Sequence, residues 1–303
     1  MISRRHALLA ALATTSAAAL ACGLPNNGDA KPTPRPRGRA GAGGSEPRAH
    51  EIDFEGRPRS FFIQAPNPAP DAPVPLLMAI HGHKSGPEVM YKSRGWGRTV
   101  DAQGWYGLYP KTGEDVVTDH FGGDVAYLGH IRDMAVQKGR IDPARCFVVG
   151  FSGGAYKTYQ LAANASDRFS AFVTCAGKMG DTDGGYDRFN PHVSKPKPAS
   201  ILHVHGLKDT TVPFAGGKYG YGNQDRTALG IQAGLDLWIS YLGATPADAP
   251  IDGVPSRCTV RQWAAPSGHR IALIVDPDLG HEYPHEWLNP VATAFLQAAP
   301  PRA

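Results

Sequence analysis

The sequence predicts a single α/β domain, a doubly wound and mostly parallel sheet with an antiparallel hairpin at its start. The first observation is a series of short apolar runs at residues 76–80, 105–109, 146–149, 171–175, 201–204 and 271–275. Each runs into Gly, Pro or Asp, and none alternates like a strand with one wet face, so they suit parallel strands covered on both sides. The second is helical patterning in the intervals, at about 121–138, 153–165, 226–242 and 286–298. Strand–helix alternation of this kind builds a parallel sheet through right-handed crossovers. The third is the turn Glu55-Gly56-Arg57-Pro58 between extended stretches at 50–54 and 60–65, which reads as a β-hairpin.

In chain order, residues 1–22 read as an export signal. Ser3-Arg4-Arg5 precedes an alanine-rich apolar run that ends near Ala21, shorter than a membrane-spanning helix needs. The arginine pair resembles a twin-arginine signal, with Ala7 where that pattern prefers Phe. Ala19-Leu20-Ala21-Cys22 offers a small-x-small cleavage site and also resembles a lipobox, which would make Cys22 a lipid anchor. A buried N-terminal helix would need a polar face, and residues 7–21 offer only Thr and Ser for one. Residues 23–48 are dense in Pro, Gly and Arg, with almost nothing to bury, so a disordered linker is expected there. The domain proper is expected at 49–303, with an excursion at 178–198 decorating the sheet. Cys146 opens one apolar run and Cys175 closes the next. On neighbouring parallel strands a stagger of about three residues, near 10 Å, exceeds disulfide reach, so no bridge between them is expected.

Composition narrows the function. The chain of 303 residues is 42% hydrophobic and 19% charged, an ordinary globular balance; Gly 36 and Pro 27 are high, but no G-X-Y period accompanies them. The net charge of +4 resides in the first 48 residues, where seven basic side chains face two acids, leaving residues 49–303 at −1. A near-neutral domain has no basic stripe for phosphates, so nucleic acid is excluded as a partner.

The sharpest local feature is Gly150-Phe151-Ser152-Gly153-Gly154, a G-x-S-x-G string between a strand and a helical stretch. A strand-to-helix turn this tight strains the serine backbone and presents its hydroxyl at the carboxyl edge of the sheet, over a helix N-terminus. A phosphate-binding turn would want G-x-G-x-x-G or a Gly-Lys-Ser/Thr ending, and neither is present. Ser152 is therefore the expected nucleophile. Its base and orienting acid should follow on loops after later strands, acid before histidine. Asp209 is the only acid on the first loop after 201–204, and His281 sits on the loop after 271–275. The two backbone N–H groups of an oxyanion hole are expected from Gly153 and from His83, in His81-Gly82-His83. No cofactor is called for.

With these residues in view, the chain resembles secreted esterases of the polyhydroxybutyrate-depolymerase and feruloyl-esterase type, within the α/β-hydrolase fold. The resemblance runs from about residue 50 to 298, through 75–83 (PLLMAIHGH), 104–110 (GWYGLYP), 124–128 (DVAYL), 141–154 (IDPARCFVVGFSGG), 169–177 (FSAFVTCAG), 203–217 (HVHGLKDTTVPFAGG) and 280–284 (GHEYP). It implies a triad of Ser152, Asp209 and His281 with His83 and Gly153 as oxyanion donors. It departs from the family at Gly153, where Ala or Asn is usual, and at His281-Glu282-Tyr283-Pro284, where His-Thr-Trp-Pro is frequent. The implied substrate is a carboxylic ester: polyhydroxyalkanoate oligomers, or feruloyl or acetyl esters of polysaccharide.

His81-x-His83 and His203-x-His205 are spaced like zinc ligands, yet a metal site also wants carboxylates close by, and Gly82, Gly206 and the strand pattern suit hydrolase loops better, so His81, His203 and His205 are expected as packing or hydrogen-bonding residues near the cleft. Asp181-Thr182-Asp183-Gly184-Gly185 hints at a calcium loop but lacks the remaining ligand positions. Tyr283 is the expected substrate-binding aromatic, with Tyr219, Tyr221 and Trp287 as further candidates. A non-catalytic binding lipoprotein on the same fold and a serine peptidase are the alternatives. No protein partner is implied.

Overall fold

The apolar runs do form strands, at nearly the expected positions. The computed structural model describes residues 45–112, 123–180, 189–221 and 224–302. The hairpin is β1 (Arg48–Phe54) and β2 (Arg57–Gln64), paired so that Arg48 faces Ile63 and Phe54 faces Arg57. Ordered pairing thus begins at Arg48, inside the expected linker. Next come β3 (Val74–Ile80), a π-helical turn at Val89–Ser93, α1 (Trp96–Gln103) and β4 (Tyr106–Pro110). They are followed by α2 (Gly123–Lys138), β5 (Ile141–Phe151), α3 (Gly153–Asn164) and β6 (Ala171–Cys175). The chain continues through α4 (Pro191–Ser194), β7 (Ser200–Gly206), the small hairpin β8 (Gly217–Tyr221) and β9 (Gln224–Ala228), and α5 (Ile231–Leu242). It closes with β10 (Thr245–Pro246), β11 (Thr259–Ala264), β12 (Arg270–Asp276) and α6 (His285–Gln297). Ala42–Ala303 holds together as one compact unit.

Ten strands share one sheet in the order β1-β2-β4-β3-β5-β6-β7-β12-β11-β10. The six from β4 to β12 run parallel, and antiparallel pairs finish both edges. The chain moves from β3 to β4 on one side and then to β5 on the other, so the sheet reverses its winding at β3 and β5. The crevice above the carboxyl ends of such a switch point is where doubly wound sheets bind ligands.

The alternation of side chains along the strands divides the core in two. Leu76, Met78 and Ile80 of β3 join Val148, Phe172, Ile201 and Leu273 beneath α2, α3 and α5. Leu77 and Ala79 join Phe147, Val149, Val173, Leu202 and Ile274 beneath α1 and α6. All but Phe147, at 2%, are completely buried; each of them larger than Ala79 is worth about 1.5–3 kcal/mol of hydrophobic stabilisation. This explains why the runs look uniformly apolar: both faces of every central strand are covered.

Several expectations shift. The helix expected from 226 begins at Ile231, because Arg226–Ala228 belongs to β9. The antiparallel edge β10–β11 and helix α1 were not anticipated. Cys175 pairs in register with Phe151, five residues past Cys146, and Cys146, Cys175 and Cys258 are free thiols. Cys22, the signal and the Asp181–Gly185 loop lie outside the described residues.

Candidate active site

The G-x-S-x-G turn is built by close approach. A Cβ on Gly150 would stand 2.3 Å from the Gly154 carbonyl oxygen, and one on Gly154 would stand 2.1 Å from that of Ile80. Only hydrogen fits at either position, which lets β5 pass into α3 in one step. Ser152 occupies the apex at φ 53°, ψ −118°, a conformation side-chain-bearing residues rarely adopt. Its own N–H donates to the Cys175 carbonyl at 2.9 Å and its carbonyl accepts from Tyr156 N–H at 3.1 Å, so the strained residue is held from both sides.

Two further loops converge on it. The Nε2 of His281, on the loop after β12, lies 2.9 Å from Ser152 Oγ. Its Nδ1 lies 2.8 Å from Asp209 Oδ2, on the loop after β7. These loops are tied together, since Leu207 N–H donates to Asp276 O and Lys208 N–H to Leu279 O, each at 3.0 Å. Asp276 opens the histidine loop with a buried carboxylate that accepts two bonds from Arg257, at 3.0 and 2.7 Å. Burial alone would push the Asp209 carboxyl up. Hydrogen bonds from His281 and Val212 N–H, with the neighbouring imidazoles, outweigh it and hold Asp209 below the usual carboxylate range. An ionised acid, an imidazole and a strained hydroxyl in one line can draw the serine proton toward Nε2 as the oxygen attacks a carbonyl.

Gly153 is the first residue of α3, so its N–H lies among those that no helical carbonyl satisfies. His83 follows Gly82, whose Cβ position is 3.4 Å from Ser152 Cβ, so the loop after β3 packs directly on the nucleophile turn. His81 anchors that loop: Nδ1 is 2.7 Å from Gly82 O, and Nε2 accepts from Thr112 N–H at 3.2 Å. Burial lowers its pKa, so it stays neutral.

Tyr283 requires a correction. It is 2% exposed, not a wall of the pocket. Its hydroxyl accepts from Trp96 Nε1 at 2.8 Å and donates to Asn289 Oδ1 at 3.3 Å, and its ring meets Phe151 edge-on at 5.8 Å. It props the histidine loop from below. Trp287 is only partly buried and packs against the core under α1 and α6, and the side chains of Tyr219 and Tyr221 lie outside the described residues.

Other neighbours of the triad went unanticipated. Phe151 stands 5.3 Å from the His281 ring, and the Arg94 guanidinium lies over Phe151 at 5.0 Å. His203 and His205, expected as packing or hydrogen-bonding residues, lie two apart on β7 and form a hydrogen-bonded pair behind Asp209. The H-x-H spacing was the available signal, because period two places both rings on one face of a strand. Cys175, buried next to the turn, has its thiol pushed up by burial and stays protonated. Among the described residues, no three metal-ligating side chains converge.

A ten-stranded sheet with this strand order, and a serine turn after β5, has the α/β-hydrolase fold. The solved acetyl xylan esterase from Aspergillus awamori superposes at a TM-score of 0.59 and 15% identity, covering 83% of this chain and 100% of that one. In sequence the chain is related to esterases. It is 26% identical over 182 residues to the protein named "Putative esterase NocK" of Nocardia uniformis subsp. tsuyamanensis, covering 55% of this chain and 50% of that protein. It is 28% identical over 127 residues to "Probable feruloyl esterase C" of Aspergillus clavatus, covering 38% and 43% respectively. The alignments thus span about half the length of these curated relatives. No protein-family model matches the chain.

Proposed function

We propose that the chain is an exported serine esterase acting on carboxylic esters, with Ser152 as nucleophile, His281 as general base and Asp209 as its orienting acid. The observation that carries this is the continuous line from Ser152 Oγ through His281 to Asp209, at 2.9 and 2.8 Å, on a strained turn. His281 takes the hydroxyl proton while Ser152 attacks the ester carbonyl. The N–H groups of Gly153 and His83 receive the developing oxyanion. The alcohol departs with the proton from His281, and water cleaves the acyl-enzyme by the same steps in reverse. Asp209 accepts from Nδ1–H, which keeps Nε2 bare to receive the proton.

Feruloyl and acetyl esters of polysaccharide are the favoured substrates, supported by the names of the feruloyl and acetyl xylan esterases to which the chain is similar. Polyhydroxyalkanoate oligomers belong in the same screen. Export is supported by Arg4-Arg5 and the apolar run after them, and a lipid anchor by Ala19-Leu20-Ala21-Cys22.

The test is hydrolysis of p-nitrophenyl acetate and methyl ferulate by wild type, Ser152→Ala and His281→Ala. Each variant is expected to lose about a thousandfold or more in kcat, with an unchanged circular dichroism spectrum. Turnover near wild type in either variant overturns the assignment.

A further inference from the structure

His203 and His205 are fully buried on the face of β7 that packs toward α3. A central parallel strand is ordinarily apolar on both faces, so two imidazoles there need partners. Their protons can be assigned from one fixed end. The Val212 carbonyl only accepts, and it lies 2.8 Å from His205 Nε2, so that nitrogen carries the hydrogen. Burial holds both rings neutral, which leaves His205 Nδ1 bare to accept from His203 Nε2–H at 2.9 Å. His203 Nδ1 is bare in turn, and its one lone pair is shared between the Tyr159 hydroxyl at 2.6 Å and Thr174 Oγ1 at 2.8 Å, the latter also within 3.3 Å of Leu202 O. The donors all point one way, from α3 and β6 through β7 to Val212.

Val212 closes the turn that holds Asp209. The N–H groups of Thr211 and Val212 donate to Asp209 Oδ1 at 2.9 and 2.8 Å. His205 Nε2 also stands 3.5 Å from Asp209 Oδ2, the oxygen that meets His281. The two rings stack at 5.2 Å and 9°, and Phe214 meets His205 edge-on at 5.8 Å, so His205 has little room to rotate away.

We propose that His205, oriented by His203, Tyr159 and Thr174, is a positioning residue for Asp209: its Nε2–H grips the 209–212 turn and aims Oδ2 at His281. The proposal rests on the serine-esterase reading above. Triad geometry tolerates little slack, since a misplacement of about 1 Å costs roughly a hundredfold in rate.

The test compares His205→Leu, which keeps bulk without a donor, with His205→Gln, whose amide restores an N–H near the Nε2 position. Steady-state kinetics on p-nitrophenyl acetate are read beside the far-downfield proton NMR signal of the imidazole N–H shared with Asp209. His205→Leu is expected to lose ~10- to 100-fold in kcat at unchanged KM, with that signal shifted or lost, and His205→Gln to recover most of both. Wild-type kcat and signal in His205→Leu, or equal impairment of both variants, overturns the proposal. Should His205→Leu fail to fold, Tyr159→Phe/Thr174→Val strips His203 Nδ1 of its donors. A fall in kcat at constant KM supports the relay, and wild-type kcat refutes it. Ser152→Ala is run in parallel: if it retains turnover, the esterase reading itself fails, whereas an inactive Ser152→Ala beside a fully active His205→Leu removes only the positioning role.

Discussion

Ser152 is held at positive φ by Gly150 and Gly154, whose missing side chains let three backbone segments meet. That part of the site was legible because the spacing of small residues around a serine encodes a steric requirement. Tyr283 was not legible, because nothing local distinguishes a tyrosine facing substrate from one whose hydroxyl is taken by Trp96, 187 residues away in sequence. The buried histidines lead to a prediction about stability. His81, His203 and His205 have folded pKa values lowered by burial. Below the unfolded value of about 6.5 the unfolded chain binds protons that the folded one refuses, so stability drops as pH falls. Each such histidine contributes a slope of up to about 1.4 kcal/mol per pH unit. Asp209 acts at lower pH with the same sign. Its depressed folded pKa gives stability that is present above about 3.9 and lost as pH falls through the folded value. Urea midpoints are expected to decline from pH 7 to pH 5 and again below pH 4; a flat profile would contradict these burial states.

At the scale of elements, α3 is the most constrained, with every residue from Gly154 to Ala163 buried. That burial forces a partner on Lys157, whose ammonium pairs with Asp124 of α2, and Arg59 of β2 reaches the same carboxylate. Two cations thus converge on one buried acid. Asp124→Leu is expected to cost about 3–5 kcal/mol, because it removes one partner of a buried ion pair with Lys157. The paired change Asp124→Leu/Lys157→Met should recover much of this loss in chemical denaturation. Equal loss in both variants would place the energy elsewhere. The parallel strands were legible because two-sided burial leaves a compositional mark, as in Leu76–Ile80. β10 left none, since it is only Thr245–Pro246 and exists through its pairing with Trp263 and Ala264 of β11. Arg226–Ala228 fits a helical pattern but pairs with Gly217–Tyr219 instead, where hairpin pairing overrides a weak local preference.

For the whole molecule, the sheet order explains why the triad comes from distant stretches of chain. β5, β7 and β12 are brought close by parallel winding, so residues 152, 209 and 281 meet above one edge. Among the described residues no helix is long and apolar enough to cross a membrane. Arg4→Lys/Arg5→Lys is expected to retain the protein in the cytoplasm, and Cys22→Ser to move it from the membrane fraction to the soluble exported fraction. Unchanged fractionation in both would remove the signal and anchor readings. Activation of the serine at position 152 can be read by intact-mass spectrometry after exposure to a fluorophosphonate, with wild type and Ser152→Ala side by side. One phosphonyl adduct is expected on the wild type and none on the variant. A folded wild type that stays unlabelled, or a variant that labels as readily, would contradict it.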